Sequence, residues 1–326
     1  MPRRLTGFTP SGDLHFGNYI GAIAPIVSAQ ADTDTVVFIS DLHALTLEHD
    51  PAQVRRRTLE FATLLLAAGA DPDTCLFLVQ SHVPQHTELH YLLECATGFG
   101  EAQRMIQFRE KSRRGGRVRV SLLTYPILMA ADILLYDTDE VPVGEDQNQH
   151  LELARDVAER FNARYGPTFT VPKAVTPPVA ARVMDLATPG EKMSKSAASP
   201  AGALRLLDEP RVLRRKVMRA VTDAGTDVTY DPEHKPGVSN LLTILAACTG
   251  DTPQRVAGRF DRYGELKEAV ADAVVATLAP VRERYLELAD DPEYVRAALR
   301  KGAERARELA SERIRTAKAA IGLLPP

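Results

Sequence analysis

Two short stretches of this sequence carry side chains suited to holding a polyphosphate. The first, SGDLHFGNYIG (Ser11–Gly21), follows a short apolar run and sets His15, Gly17 and Asn18 where a helix begins. Backbone N–H groups at a helix N-terminus carry roughly half a positive charge and favour an anion. Gly17 lets a phosphate approach the main chain closely, and His15 and Asn18 can donate hydrogen bonds. An ordinary helix start decorated with Ser and Asn is the alternative, since such residues are enriched at caps. The second stretch is PGEKMSKSAASP (Pro189–Pro200), where Lys192 and Lys195 stand beside Ser194 and Ser196 in a Gly/Ser/Pro context that predicts a loop. Two ammonium groups there can follow a triphosphate as charge builds during reaction. A solvated basic turn is the commoner fate of such lysines.

Elements must bring these stretches together. Apolar runs at Leu5–Phe8, TVVFIS (Thr35–Ser40) and CLFLVQ (Cys75–Gln80) read as strands. Between the second and third lies PAQVRRRTLEFATLLLAAGA, a helical pattern with Pro51 at its start and Gly69 near its stop. Strand–helix–strand alternation predicts a Rossmann-like α/β fold, a parallel sheet with helices on both faces. Ligands on such sheets sit at the carboxyl ends of the strands, near a switch in strand order. From about Ser199 the strand signals fade and four helical patterns follow. The expected organisation is a catalytic domain over 1–200 and a C-terminal helical domain over 201–326.

Composition narrows the class. The chain has 326 residues, 44% of them hydrophobic, and a net charge of −3. A nucleic-acid partner must therefore be met by a local basic patch rather than by the whole surface. The three cysteines form no CxxC pair, which argues against zinc and a disulfide framework. The N-terminus lacks a signal peptide's apolar core, and no apolar run approaches membrane-spanning length. A soluble, cytoplasmic globular protein is expected.

The HxGN element and the KMSKS element together resemble the paired signatures of the class I aminoacyl-tRNA synthetases. The segment TYPILMAADILLYDTDEVPVGEDQNQHLELARDVAERFN (Thr124–Asn162) bears on the amino acid. Pro126 fits a helix's first turn, so a helix is expected from there to about Tyr136. It would set Tyr125, Met129, Asp132 and Ile133 on one face. A carboxylate within an apolar stripe is costly without a partner. An indole N–H is one candidate partner; a neighbouring helix or strand is another. This segment, with GNYIGA, DLHALT, QRMIQFREKS and KPGVSNLL, closely resembles the bacterial tryptophanyl-tRNA synthetases.

That resemblance implies roles. Asp132 would accept the indole N–H, and His43, Met129, Ile133, Val141 and Val143 would line the indole pocket. Tyr125 and Gln147 would hold the α-ammonium group. Gly144, Glu145 and Asp146 would meet adenosine, with a backbone contact from Val183. Thr9, Pro10, Ser11, His15, Gly17 and Asn18 would face the phosphates. Lys192, Lys195 and Lys111 would hold the pyrophosphate, and Met193, Ser194 and Ser196 of the KMSKS element would also belong to the ATP site. His15, Asn18, Lys192 and Lys195 would act in the chemical step. His43 as a structural histidine and Glu145–Asp146 as an acidic turn remain open alternatives.

The resemblance further implies ATP and Mg²⁺, L-tryptophan, tRNA(Trp), a homodimer, and a helical domain that reads the anticodon. It implies adenylate formation and transfer to tRNA without a protein nucleophile. Where the family commonly has Gln at position 9 and Phe at position 5, this chain has Thr9 and Leu5. Arg211, Arg214, Arg215 and Arg219, and on the last helix Arg300, Lys301, Arg305, Arg313 and Arg315, are candidates for the tRNA surface; a solvated face is the alternative. Two other readings stay open: an auxiliary tryptophan- or ATP-binding copy that charges tRNA poorly, and a small nucleotidyltransferase.

Overall fold

The computed structural model describes residues 1–106, 108–109, 118–144, 147–175, 182–194 and 201–325. Five strands, β1 (Arg3–Phe8), β2 (Asp34–Ile39), β3 (Leu76–Val79), β4 (Glu140–Pro142) and β5 (Lys173–Val175), form one sheet in the order β3-β2-β1-β4-β5. Every pairing is parallel. The order reverses at β1, so a crevice opens at the carboxyl ends of β1 and β4.

Among the described residues the first half holds the helices α1 (Phe16–Asn18), α2 (Ala24–Ala29), α3 (Asp41–Ala44), α4 (Pro51–Ala67), α5 (Gln85–Glu94), α6 (Phe99–Arg104), α7 (Val120–Leu134) and α8 (Asn148–Tyr165). A π-helical turn, Tyr19–Ile23, joins α1 to α2. The second half supplies α9 (Pro210–Met218), α10 (Pro236–Thr249), α11 (Pro253–Ala257), α12 (Tyr263–Asp290) and α13 (Pro292–Ala320).

The strands are legible as unbroken apolar runs because both sheet faces are buried. Side chains alternate between the faces. Leu5, Val36, Phe38, Leu76 and Leu78 pack with residues of α5, α7, α8 and the end of α13. Phe8, Val37, Ile39, Phe77 and Val79 pack on the other side with residues of α2, α4 and α9 to α12. That second core continues from the sheet into the helical part. α4 starts where expected, with Pro51 in its first turn and the Asp50 side chain accepting from the Ala52 N–H at 3.0 Å.

One expectation needs correction. Pro126 does not open its helix: α7 begins at Val120 and Pro126 lies inside it. A proline there removes the N–H that would bond the Leu122 carbonyl. The long apolar face that α7 buries outweighs that loss. The last helix reaches back to the sheet. α13 runs back onto β3, so closely that a Cβ at Gly302 would lie 1.7 Å from the Phe77 carbonyl oxygen. Among the described residues no helix is long and apolar enough to cross a membrane.

Candidate active site

A cavity of about 750 Å³ opens at the carboxyl ends of β1, β2 and β4. α7 contributes Tyr125, Met129, Asp132 and Ile133, the face its i, i+4, i+7, i+8 spacing predicts. The β4 strand and the residue after it add Val141 and Val143, α3 adds His43, and the α8 cap adds Gln147. All eight residues expected around an amino acid therefore line one space. Leu5 is buried in its wall, and the Thr9 hydroxyl shares a 3.0 Å hydrogen bond with Ser40 at its rim.

Asp132 is 1% exposed and is held by three donors. Gln80 Nε2 and His86 Nδ1 each lie 2.7 Å from Oδ1, and His43 Nε2 lies 2.8 Å from Oδ2. Burial opposes ionisation, but the hydrogen bonds from His43 and His86 outweigh it and hold the carboxyl at about 2. The group is a carboxylate at neutral pH and can only accept. Each oxygen offers about two lone pairs, so Oδ1 is filled while Oδ2 has room for one more donor. Nearby, the Tyr125 hydroxyl lies 2.8 Å from His150 Nε2, and burial raises its pKa so that it stays protonated.

Thr9, Pro10, Ser11 and Asn18, the residues expected to face phosphates, line the same cavity along one lip. The Asn18 side-chain oxygen accepts from the His15 main-chain N–H at 3.1 Å, which leaves its amide N–H₂ to donate. His15 is buried as the cap of α1. A Cβ on Gly17 would sit 3.2 Å from the His15 ring and 3.5 Å from the Val183 side chain. Gly17→Ala must therefore displace the histidine or the cap. On the activity that the resemblance implies, it is expected to slow amino-acid-dependent pyrophosphate exchange by about tenfold or more, with the thermal midpoint within about 4 °C of wild type. Unchanged exchange would remove close packing at this lip from the account.

The second basic stretch grows from a hairpin. Met184 pairs with Lys192, and the Met193 N–H donates to the Val183 carbonyl at 3.0 Å. Lys192 and Ser194 are exposed, whereas the Met193 and Val183 side chains are buried. The chain returns antiparallel to the HxGN element: the Phe16 N–H donates to Leu204 O at 2.8 Å and the Leu206 N–H to Leu14 O at 3.1 Å. Asp13 ties this return to the lip through Arg57 at 2.6 Å and Arg205 at 3.0 Å. Val183, Gly17, His15 and Lys192 stand beside the cavity rather than in its lining. Gly144 lines a smaller adjoining pocket of about 150 Å³, which shares Val143 with the main cavity. Lys111, Glu145, Asp146, Lys195 and Ser196 lie outside the described residues.

Several of the candidate tRNA-facing basic residues are engaged elsewhere. Arg211 pairs with Glu209 at 2.6 Å, Arg214 with Asp272, Arg300 with Glu293 at 2.7 Å and Arg315 with Glu312 at 3.8 Å. Lys301 reaches Asp73 at 2.5 Å, and Arg305 donates to Pro72 O at 3.4 Å. Arg313 bonds Asp137 and the Thr168 carbonyl, so it fastens α13 to the segments that follow α7 and α8 and belongs to the fold. Arg215 and Arg219 are exposed and have no side-chain partner among the described residues.

Sequence reasoning missed Gln80, His86, Tyr136, His150 and Asn240. Asn240, in KPGVSNLL, bonds both the N–H and the carbonyl of Met184 at 2.8 Å and so fixes the hairpin to α10. A buried asparagine in an apolar helix was the available signal for it.

The profile of a family described as tRNA synthetases class I (W and Y) matches residues 2–279. Tryptophan–tRNA ligase 1 of Streptomyces coelicolor is 57% identical over 331 residues, covering 100% of this chain and 98% of that protein. The crystal structure of tryptophanyl-tRNA synthetase from Mycoplasma pneumoniae superposes with a TM-score of 0.91 at 33% identity, over 99% of this chain and 98% of that one. The Campylobacter jejuni tryptophanyl-tRNA synthetase, complexed with ADP and tryptophan, gives 0.84 at 35% identity, over 98% and 100%.

Proposed function

The chain belongs to the class I tryptophanyl-tRNA synthetases, and on that premise we infer that its buried Asp132 reads the indole of tryptophan. The protein is a tryptophan–tRNA ligase that uses ATP. The observation that carries the site assignment is the one open lone pair of a fully buried carboxylate, facing a cavity at the switch point of the sheet. An indole N–H would donate to Oδ2, with Met129, Ile133, Val141 and Val143 against the ring and His43 beside it. Tyr125 and Gln147 would hold the α-ammonium group.

The first step is attack of the tryptophan carboxylate on the α-phosphate of ATP, with pyrophosphate leaving. In the second, a hydroxyl of the terminal tRNA ribose attacks the aminoacyl carbonyl of the adenylate, forming the ester and releasing AMP. Neither step needs a protein nucleophile, so rate comes from positioning and from charge stabilisation on phosphate oxygens. Thr9, Pro10, Ser11, Gly17 and Asn18 would face the phosphates, with His15 as the cap that shapes them. Gly144, Glu145, Asp146 and Val183 would hold adenosine. Lys192, Lys195 and Lys111 would take the charge on the pyrophosphate, with Met193, Ser194 and Ser196 carrying their loop. Mg²⁺ would neutralise charge on the triphosphate; we assign it phosphate oxygens and water rather than protein ligands.

The catalytic part is assigned to 1–200 and tRNA recognition to 201–326. Arg215 and Arg219 are the arginines best placed for RNA. Reversing both to Glu is expected to weaken tRNA binding and to lower its salt slope by about one unit for each phosphate no longer neutralised. Filter binding over a salt series tests this; unchanged binding would take both out of the interface. A symmetric dimer in the cytoplasm completes the reading, with the exposed apolar side chains Tyr91, Phe99 and Val120 available to a partner. An auxiliary binding role is not favoured, given 57% identity to a ligase over the full chain. Charging of tRNA(Trp) with labelled tryptophan tests the whole reading, and failure to charge would reject it.

A further inference from the structure

We propose that Gln80 and His86 are positioning residues that set tryptophan selectivity by presenting one chosen oxygen of Asp132 to the pocket. The proposal rests on Asp132 being the indole acceptor. Both side chains are fully buried behind the cavity and line none of it. Gln80 Oε1 accepts from the Leu42 N–H at 3.1 Å, so its amide must turn Nε2 toward Asp132 Oδ1. The same amide thereby couples α3, which carries His43, to α7, which carries Asp132.

His86 is fixed in the same way. An ionised carboxylate only accepts, so Nδ1 bears the proton and Nε2 accepts from the Tyr136 hydroxyl at 2.8 Å. The ring also stacks on Phe38 at 6.0 Å. Two donors fill Oδ1, which blocks rotation of the carboxylate and leaves Oδ2 as its outward face. With either donor gone, Asp132 can turn or take up a proton, and a protonated oxygen no longer accepts the N–H as a carboxylate does. The titratable groups around Asp132 are His43 on α3, His86 and His90 on α5, and Tyr136 beyond α7.

Pyrophosphate exchange with tryptophan and phenylalanine, measured across pH 5 to 8 as set by the assay, tests this clamp. His86→Leu and Gln80→Met are expected to lower kcat/KM for tryptophan by about 10- to 100-fold, mostly through KM. The preference over phenylalanine should fall with it. The sign of the pH effect follows from the lost donor: the Asp132 pKa rises from about 2, well below the assay window, so kcat/KM should begin to fall at the acid end of the window, an acid limb present in the variants and not in wild type. His86→Asn, which keeps a donor near the Nδ1 position, should recover most of the loss. Tyr136→Phe preserves volume and should move the limb the same way by less. Folded variants with an unmoved limb and an unchanged amino-acid preference would overturn the proposal. Asp132→Asn in the same assay separates the two ideas. If it too keeps full preference, the indole assignment falls; if it alone loses preference, only the clamp does.

Discussion

Asp132→Ala is expected to lose most of the preference for tryptophan, a discrimination on the order of 10⁴-fold in kcat/KM. Removing the carboxylate strands the donors of Gln80, His86 and His43 in a buried space, and an incoming indole N–H finds no acceptor. An apolar pocket alone separates amino acids by far less, because one methylene is worth only about 1–3 kcal/mol. The loss should fall on tryptophan while the ATP dependence changes little, since the residues proposed to face the phosphates lie between β1 and α1 and on α1 rather than on α7. Exchange kinetics with tryptophan, tyrosine and phenylalanine measure it. Retained discrimination in a folded variant would place the selective contact elsewhere in the cavity.

Gly302→Val is expected to be the most damaging substitution away from the site. Its Cβ would lie 1.7 Å from the Phe77 carbonyl oxygen, in the middle of β3, and neither the strand nor α13 can yield without disturbing its neighbours. A destabilisation on the order of 4 kcal/mol follows, which lowers the thermal midpoint by about 8–16 °C. The effect should reach the site. α13 is fastened through Arg313 to Asp137, just beyond the helix that carries Asp132. Tryptophan affinity should therefore weaken before global unfolding. An unshifted melting curve would mean that α13 does not sit on β3 in solution.

Much of this is legible in the residues because the elements concerned are long or repetitive. β2 and β3 read as strands because burial on both faces makes them continuous apolar runs, and the four cavity-facing residues of α7 fall on one stripe. β4 and β5, three residues each, are too short to carry a period and give no strand signal. Pro126 misleads for a specific reason: its local cost argues for a helix start, whereas the tertiary burial of α7 overrides it. The clamp behind Asp132 is out of reach of the sequence. Gln80 and His86 lie 52 and 46 positions from the carboxylate, and their pairing depends on β3 and α5 packing beside α7. Likewise, only the packing of α13 against β3 reveals that Arg313 is structural.

The most direct test is exchange of labelled pyrophosphate into ATP, run on wild type and Asp132→Ala with tryptophan, tyrosine and phenylalanine in parallel. Wild type is expected to exchange with tryptophan alone, and the variant to bind ATP but to have lost that choice. Equal exchange of the three amino acids by wild type, or an Asp132→Ala enzyme as selective as its parent, would contradict it.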